Sequence, residues 1–314
     1  MKRVLIISLL LLLATFFYRL PALVNSEEIN SDGAIVGLQA MHMLHGEWSW
    51  TLWGANYQSS IDSAMTAIAF AIFGVSPLVL MLVPVFGHLI VTFLALRVIA
   101  RRSNLMVAAI AVLPLVITPW AVSSVVTIPP RQWCITIVFI AVWLLDGASE
   151  SKRPMLRYAL GGLMAPLAIF ADVYAILFVP GLAAFGLMCL LDGKPDRRLL
   201  IRRTLACGAG GLIAAIIVFV GRLSHPGTVP LPTLTLDRIA INADLFWNWC
   251  LPFALGYKLV PHEFHAQFVL NRLAMPWYAL QIFGGWSLIV GIVLGGTFLV
   301  RKMPWKLSRL GLFG

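Results

Sequence analysis

Only 13 of 314 residues are acidic, so each carboxylate can be weighed singly. Asp32 stands out first. It closes an acidic, irregular stretch, Asn25 to Asp32, that follows the first apolar segment, Val4–Tyr18. This puts a carboxylate just outside a bilayer, at the start of a short amphipathic helix, where chemistry on a lipid-linked substrate is expected. The same carboxylate suits the positive end of a helix dipole, and the two roles are compatible. Glu47 sits in a Gly-Glu-Trp turn, where a substrate contact stands beside the ordinary reading of a solvated turn residue. Asp62 reads as a helix-start acid or a substrate contact, and Tyr57 as an interface anchor or a substrate contact. Asp172 lies between two apolar runs; ionisable groups at membrane depth are costly and tend to be functional, although an outer turn would lower that cost. Arg131 follows Pro129-Pro130, where it either snorkels to headgroups or binds phosphate. Lys258 and Arg272 are further cations expected outside the membrane, and with Arg131 they complete the candidate substrate contacts.

Metal ligation finds little support. His42 and His45 are spaced i, i+3, as are His262 and His265, but neither pair has a third ligand nearby. His262-Glu263-Phe264-His265 is one residue short of the H-E-x-x-H pattern. No metal and no other cofactor is assigned. His88 falls inside an apolar span and reads as an interhelical hydrogen bonder. The four cysteines show no C-x-x-C spacing and no disulfide framework.

The elements that must position these residues are membrane helices. Hydrophobic residues make up 60% of the chain and charged ones 11%, against about 25% charged in soluble domains. Apolar runs occur at Val4–Tyr18, Pro77–Leu96, Leu105–Trp120, Gln132–Leu145, Met155–Ala171, Val173–Leu191, Leu205–Val220 and Trp277–Val300. They lack the alternation of barrel strands. The expected fold is all-α: a polytopic membrane protein with about eight transmembrane helices, forming a single domain over 1–314. With the N-terminus in the cytoplasm, most of the 23 Lys+Arg fall in short cytoplasmic segments, and both termini are cytoplasmic by the positive-inside rule. The net charge of +10 is therefore a topology signal, not a nucleic-acid one. The N-terminal segment lacks a small-residue cleavage site and reads as an uncleaved first span.

Two outer segments are long, about 19–76 and about 223–276, and long ordered loops usually carry function. The first is expected to hold two helices joined by an irregular stretch. Asn30 or Ser31 caps the first, and Ala34, Leu38, Met41 and Leu44 recur at helical spacing along it. Trp48, Trp50 and Trp53 form an interface belt. The second helix starts near Ser59, with capping-box-like spacing to Asp62. In the second outer segment, Leu236 to Tyr257 reads as an interfacial helix. Gly161-Gly162 and Gly208 to Gly211 are expected to bring helices close together.

The order Ser31-Asp32-Gly33-Ala34, Gly46-Glu47-Trp48, Tyr57-Gln58-Ser59-Ser60-Ile61-Asp62 and Phe73-Gly74-Val75-Ser76, followed by a span, resembles the GT-C superfamily of membrane glycosyltransferases. The resemblance is to the bacterial branch related to protein O-mannosyltransferases and aminoarabinose transferases. Leu251-Pro252-Phe253-Ala254-Leu255-Gly256 also looks like a recurrent piece of such proteins. The resemblance implies a polyprenyl-phosphate sugar donor at the outer face of a bacterial inner membrane and a lipid, glycan or protein acceptor. It implies that Asp32 is the catalytic base, with cationic side chains such as Arg131, Arg238, Lys258 and Arg272 facing the leaving phosphate. Gly33 follows Asp32 where the family often carries a second acid, so a metal-binding acidic pair is absent at that point. Two other classes stay open: a transporter or lipid flippase, and a non-catalytic or truncated relative.

Overall fold

The computed structural model describes residues 2–27, 29–118, 128–223, 235–245 and 247–248. The described residues are mostly helical, and among them four helices are long and apolar enough to cross a membrane: Pro77–Arg102, Pro154–Ala171, Val173–Leu190 and Arg197–Gly221. These mark it as membrane-associated. The proposed last span and most of the second outer segment lie outside the described residues.

Helix α1 (Lys2–Phe17) is followed by the short α2 (Leu20–Val24) and by α3 (Ser31–Leu44). Asn30 starts α3: its side chain accepts the Gly33 N–H at 2.9 Å, which satisfies one of the donors left open at a helix start. The stretch expected to be irregular is a β-hairpin, β1 (Thr51–Leu52) with β2 (Ala55–Ser59). Gly54 makes its turn possible with a φ of 74°, a value that L side chains resist. Helix α4 (Ile61–Phe73) then begins two residues later than expected, and Ser60, not Ser59, holds its N-cap position, without a side-chain bond.

Helix α5 (Pro77–Arg102) starts under a Ser76 cap. The run from Leu105 is not one long helix. It breaks into α6 (Leu105–Ala111) and α7 (Leu113–Val116), because Pro114 cannot continue the hydrogen-bond ladder of the preceding turn. Helix α8 (Gln132–Asp146), α9 (Pro154–Ala171), a 3-10 turn (Val173–Phe178), α10 (Val179–Leu190), α11 (Arg197–Leu223) and α12 (Leu236–Leu245) follow.

Glycine sets the closest packing. A Cβ on Gly162 would collide with the Cys207 carbonyl, and one on Gly210 with the Ala159 carbonyl. So α9 and α11 meet backbone to backbone, as small residues permit within membranes.

The buried face of α3 corrects the expected stripe. Val36, Gly37, Gln39, Ala40 and Met43 are buried, whereas Leu38, Met41 and Leu44 are exposed. Gln39 stitches the outer unit together: its Nε2 donates to the Thr51 carbonyl at 2.9 Å, and its Oε1 accepts from Ser63 Oγ at 2.8 Å. One buried amide thus joins α3, the hairpin and α4.

The helices have two chemically distinct ends. At one, Asp146 meets Arg102 at 2.5 Å and Arg101 at 3.7 Å. Arg157 there donates to the carbonyls of Trp143, Leu144 and Gly147, and Arg203 donates to Leu190 and Asp192. These arginines satisfy the open carbonyls at the ends of α8 and α10. The other end holds the carboxylates considered next. Helix α8, with 15 residues, spans about 22 Å between the two ends.

Candidate functional site

Three of the singled-out residues converge: Asp62 from the first turn of α4, Arg131 just before α8, and Asp172 at the end of α9. Asp172 is 2% exposed. Its main chain pairs with Gln58 of β2 in an isolated antiparallel bridge. Its Oδ1 accepts the Tyr174 N–H at 2.8 Å, which caps the 3-10 turn. Its Oδ2 accepts a hydrogen bond from Gln58 Nε2 and lies 3.5 Å from Arg131 Nε. The outer turn expected at Asp172 is thus a buried one, and the carboxylate is matched by a cation and two N–H donors.

Asp62 is 3% exposed. Its carboxyl faces the backbone N–H groups of Arg131 and Trp133 at the start of α8, from a different helix. Its Oδ1 has no hydrogen-bond partner among the described residues. Burial pushes its carboxyl up to about 7; the two backbone donors pull it down, and the Asp172 charge adds to the rise. Arg131 has a φ of 103°, a strained value for a residue with a side chain, and such residues cluster at functional sites.

Asp32 and Glu47 do not join this cluster. Asp32 is exposed in the first turn of α3. Its neighbour Gly33 packs on the segment that leads to Arg131: a Cβ there would sit 3.1 Å from Ile128 Cγ2. Glu47 pairs with His42 at 2.6 Å, and the His42 ring stands edge-on to Trp53. A cleft of about 550 Å³ lined by Glu47, Trp48, Thr51, Leu52 and Trp53 opens beside the hairpin. Tyr57 is exposed on β2. Arg238 is exposed on α12. Lys258, Arg272, His262 and His265 lie outside the described residues. Among the described residues no three His, Cys, Asp or Glu side chains converge.

Gln58 and Gln132 are the polar residues that sequence reasoning passed over. Gln132 is fully buried, and its Oε1 has no hydrogen-bond partner among the described residues. The available signal was a neutral amide beside a charged candidate in an apolar setting, as in Arg131-Gln132-Trp133.

A second polar group lies between α1, α5 and α7. Arg19, expected as an outer residue, is 1% exposed. It donates to the carbonyls of Thr15, Val116 and Leu115. His88 Nε2 lies 2.7 Å from the same Leu115 oxygen, an interhelical contact of the expected type.

Compared with protein families, curated proteins and solved structures, the chain matches none.

Proposed function

We propose that the chain is a membrane glycosyltransferase with eight spans and both termini in the cytoplasm. It moves a sugar from a polyprenyl-phosphate donor to an acceptor at the outer face of a bacterial inner membrane. One observation carries the reading: the helix bearing the exposed Asp32 packs, through Gly33, on the segment that presents the half-exposed Arg131. A base and a phosphate-binding cation therefore belong to one end of the molecule.

The chemistry needs both. The acceptor hydroxyl attacks the anomeric carbon as Asp32 takes its proton. The bond from that carbon to the phosphate oxygen breaks, and its electron pair leaves with the phosphate, whose charge Arg131 meets. Attack opposite the leaving group inverts the anomeric centre. Glu47 lines the tryptophan-rich cleft beside the hairpin, which is assigned to the acceptor, with the exposed Tyr57 of β2 as a further contact. Lys258 and Arg272 supply further cations to the phosphate leaving group. The test is sugar transfer by the purified protein in lipid, with a panel of polyprenyl-phosphate sugars and acceptors from the same envelope. Transfer from at least one donor is expected. Binding of several donors without turnover of any would contradict the reading.

A transporter or lipid flippase is the second reading, favoured by Arg19 and His88, two buried basic side chains that share one carbonyl at a broken helix. Lipid-phosphate movement across reconstituted vesicles, lost in Arg19→Gln and unaffected by Asp32→Asn, would select it.

A further inference from the structure

Arg131 is held from two directions. Along its side chain, Nε faces Asp172 Oδ2 at 3.5 Å. That oxygen also accepts from Gln58 Nε2, while Oδ1 is fixed by the Tyr174 N–H. The β-bridge between Gln58 and Asp172 locks the two backbones together. Asp172 is therefore held by a donor on each oxygen, Tyr174 N–H on Oδ1 and Gln58 on Oδ2.

Along its main chain, Arg131 is held by Asp62. The φ of 103° costs on the order of 1–3 kcal/mol and persists only where the surroundings over-determine it. The Asp62 carboxyl, 3% exposed, faces the N–H groups of Arg131 and Trp133 from a different helix and so constrains that turn. With Nε turned to Asp172, Arg131 Nη1 and Nη2 make no hydrogen bond among the described residues, and the side chain is 38% exposed. A guanidinium presented this way offers two parallel donors to two oxygens of a phosphate, which a lysine cannot do.

We infer that Gln58 and Asp62 are positioning residues for Arg131: with Asp172 they hold its Nη1–Nη2 fork open toward the phosphate of a lipid-linked substrate. The lipid-linked identity rests on the glycosyltransferase reading; the positioning rests on the geometry. Neither Gln58 nor Asp62 touches the ligand.

The experiment measures binding, not transfer, with the full chain in lipid nanodiscs. Farnesyl phosphate is the probe, farnesol the neutral control and inorganic phosphate the chain-free one. The wild type binds farnesyl phosphate at least about tenfold more tightly than Arg131→Gln does, and Arg131→Lys fails to restore binding. Gln58→Leu and Asp62→Asn each weaken binding about tenfold, yet add nothing when combined with Arg131→Gln. Asp62→Ala, which keeps no acceptor, serves if Asp62→Asn does not fold. Wild-type binding by either single variant, losses that add to that of Arg131→Gln, or no preference for farnesyl phosphate over farnesol would each overturn the inference. Equal affinity for inorganic phosphate would uphold the positioning and overturn the lipid-linked assignment. The expected couplings in a protein that transfers no sugar would sink the transferase reading and leave the positioning standing.

Discussion

Asp62 makes stability depend on pH in a direction that follows from its surroundings. Its carboxyl is raised by burial to about 7 in the folded chain, against about 3.9 for a free aspartate. A raised acid binds its proton more tightly when folded, so the folded state is favoured while that proton is present. This contribution is complete below about pH 4 and is lost as pH rises through 7. Wild-type protein should therefore lose more thermal stability between pH 5 and pH 8 than Asp62→Asn does. Identical pH profiles for the two would mean that Asp62 is not buried as an acid. The strain at Arg131 gives a second prediction. Arg131→Gly removes the side chain and relieves the φ of 103°, whereas Arg131→Ala keeps the strain. The glycine variant should be more stable than the alanine variant by about 1 kcal/mol, read from their melting temperatures. Asp62, Arg131 and Asp172 were legible in the sequence because charges are rare in so apolar a chain. Gln58 was not, because it is neutral, lies in a polar stretch and has its partner 114 positions away.

At the scale of elements, glycine positions separate close helix contact from idle flexibility. Gly210 sits against the Ala159 carbonyl, while Gly208 has nothing within 4 Å of where a Cβ would stand. Gly210→Ala must push α9 and α11 apart and should cost about 2 kcal/mol or more. Gly208→Ala should be neutral or slightly stabilising, since alanine favours the helix. Unfolding in detergent measures both, and equal behaviour would contradict backbone-to-backbone packing. Spacing alone marked the glycine runs correctly as contact points but could not say which glycine touches. The α3 stripe failed for a related reason. Leu38, Met41 and Leu44 turn outward while Gly33, Gly37 and Gln39 turn inward, because the two glycines let α3 close on Ile128 and Leu80 and Gln39 finds its hydrogen-bond partners on that face. The hairpin was hidden because three tryptophans read equally well as an interface belt.

The whole molecule is organised by its two ends. One collects arginines that close helix C-termini and pair with Asp146; the other collects Asp62, Arg131, Asp172 and Gln58 about 22 Å away along α8. Composition and apolar run length disclosed a helical membrane protein. They overstated one helix, because Pro114 breaks the run from Leu105, whereas α8 covers its expected run and ends one residue beyond it, at Asp146. On the proposed topology the arginine-rich end is cytoplasmic. A cysteine at Trp48 in an otherwise cysteine-free chain should react with an impermeant maleimide in intact cells, and one at Glu150 only after lysis; the reverse pattern would invert the topology. The central claim is glycosyl transfer with Asp32 as base, and steady-state kinetics of Asp32→Asn beside Arg131→Gln test it most directly. Asp32→Asn should lower kcat by about a hundredfold or more with little change in KM, while Arg131→Gln should raise KM for the lipid-linked donor. Unchanged kcat in Asp32→Asn would contradict the account.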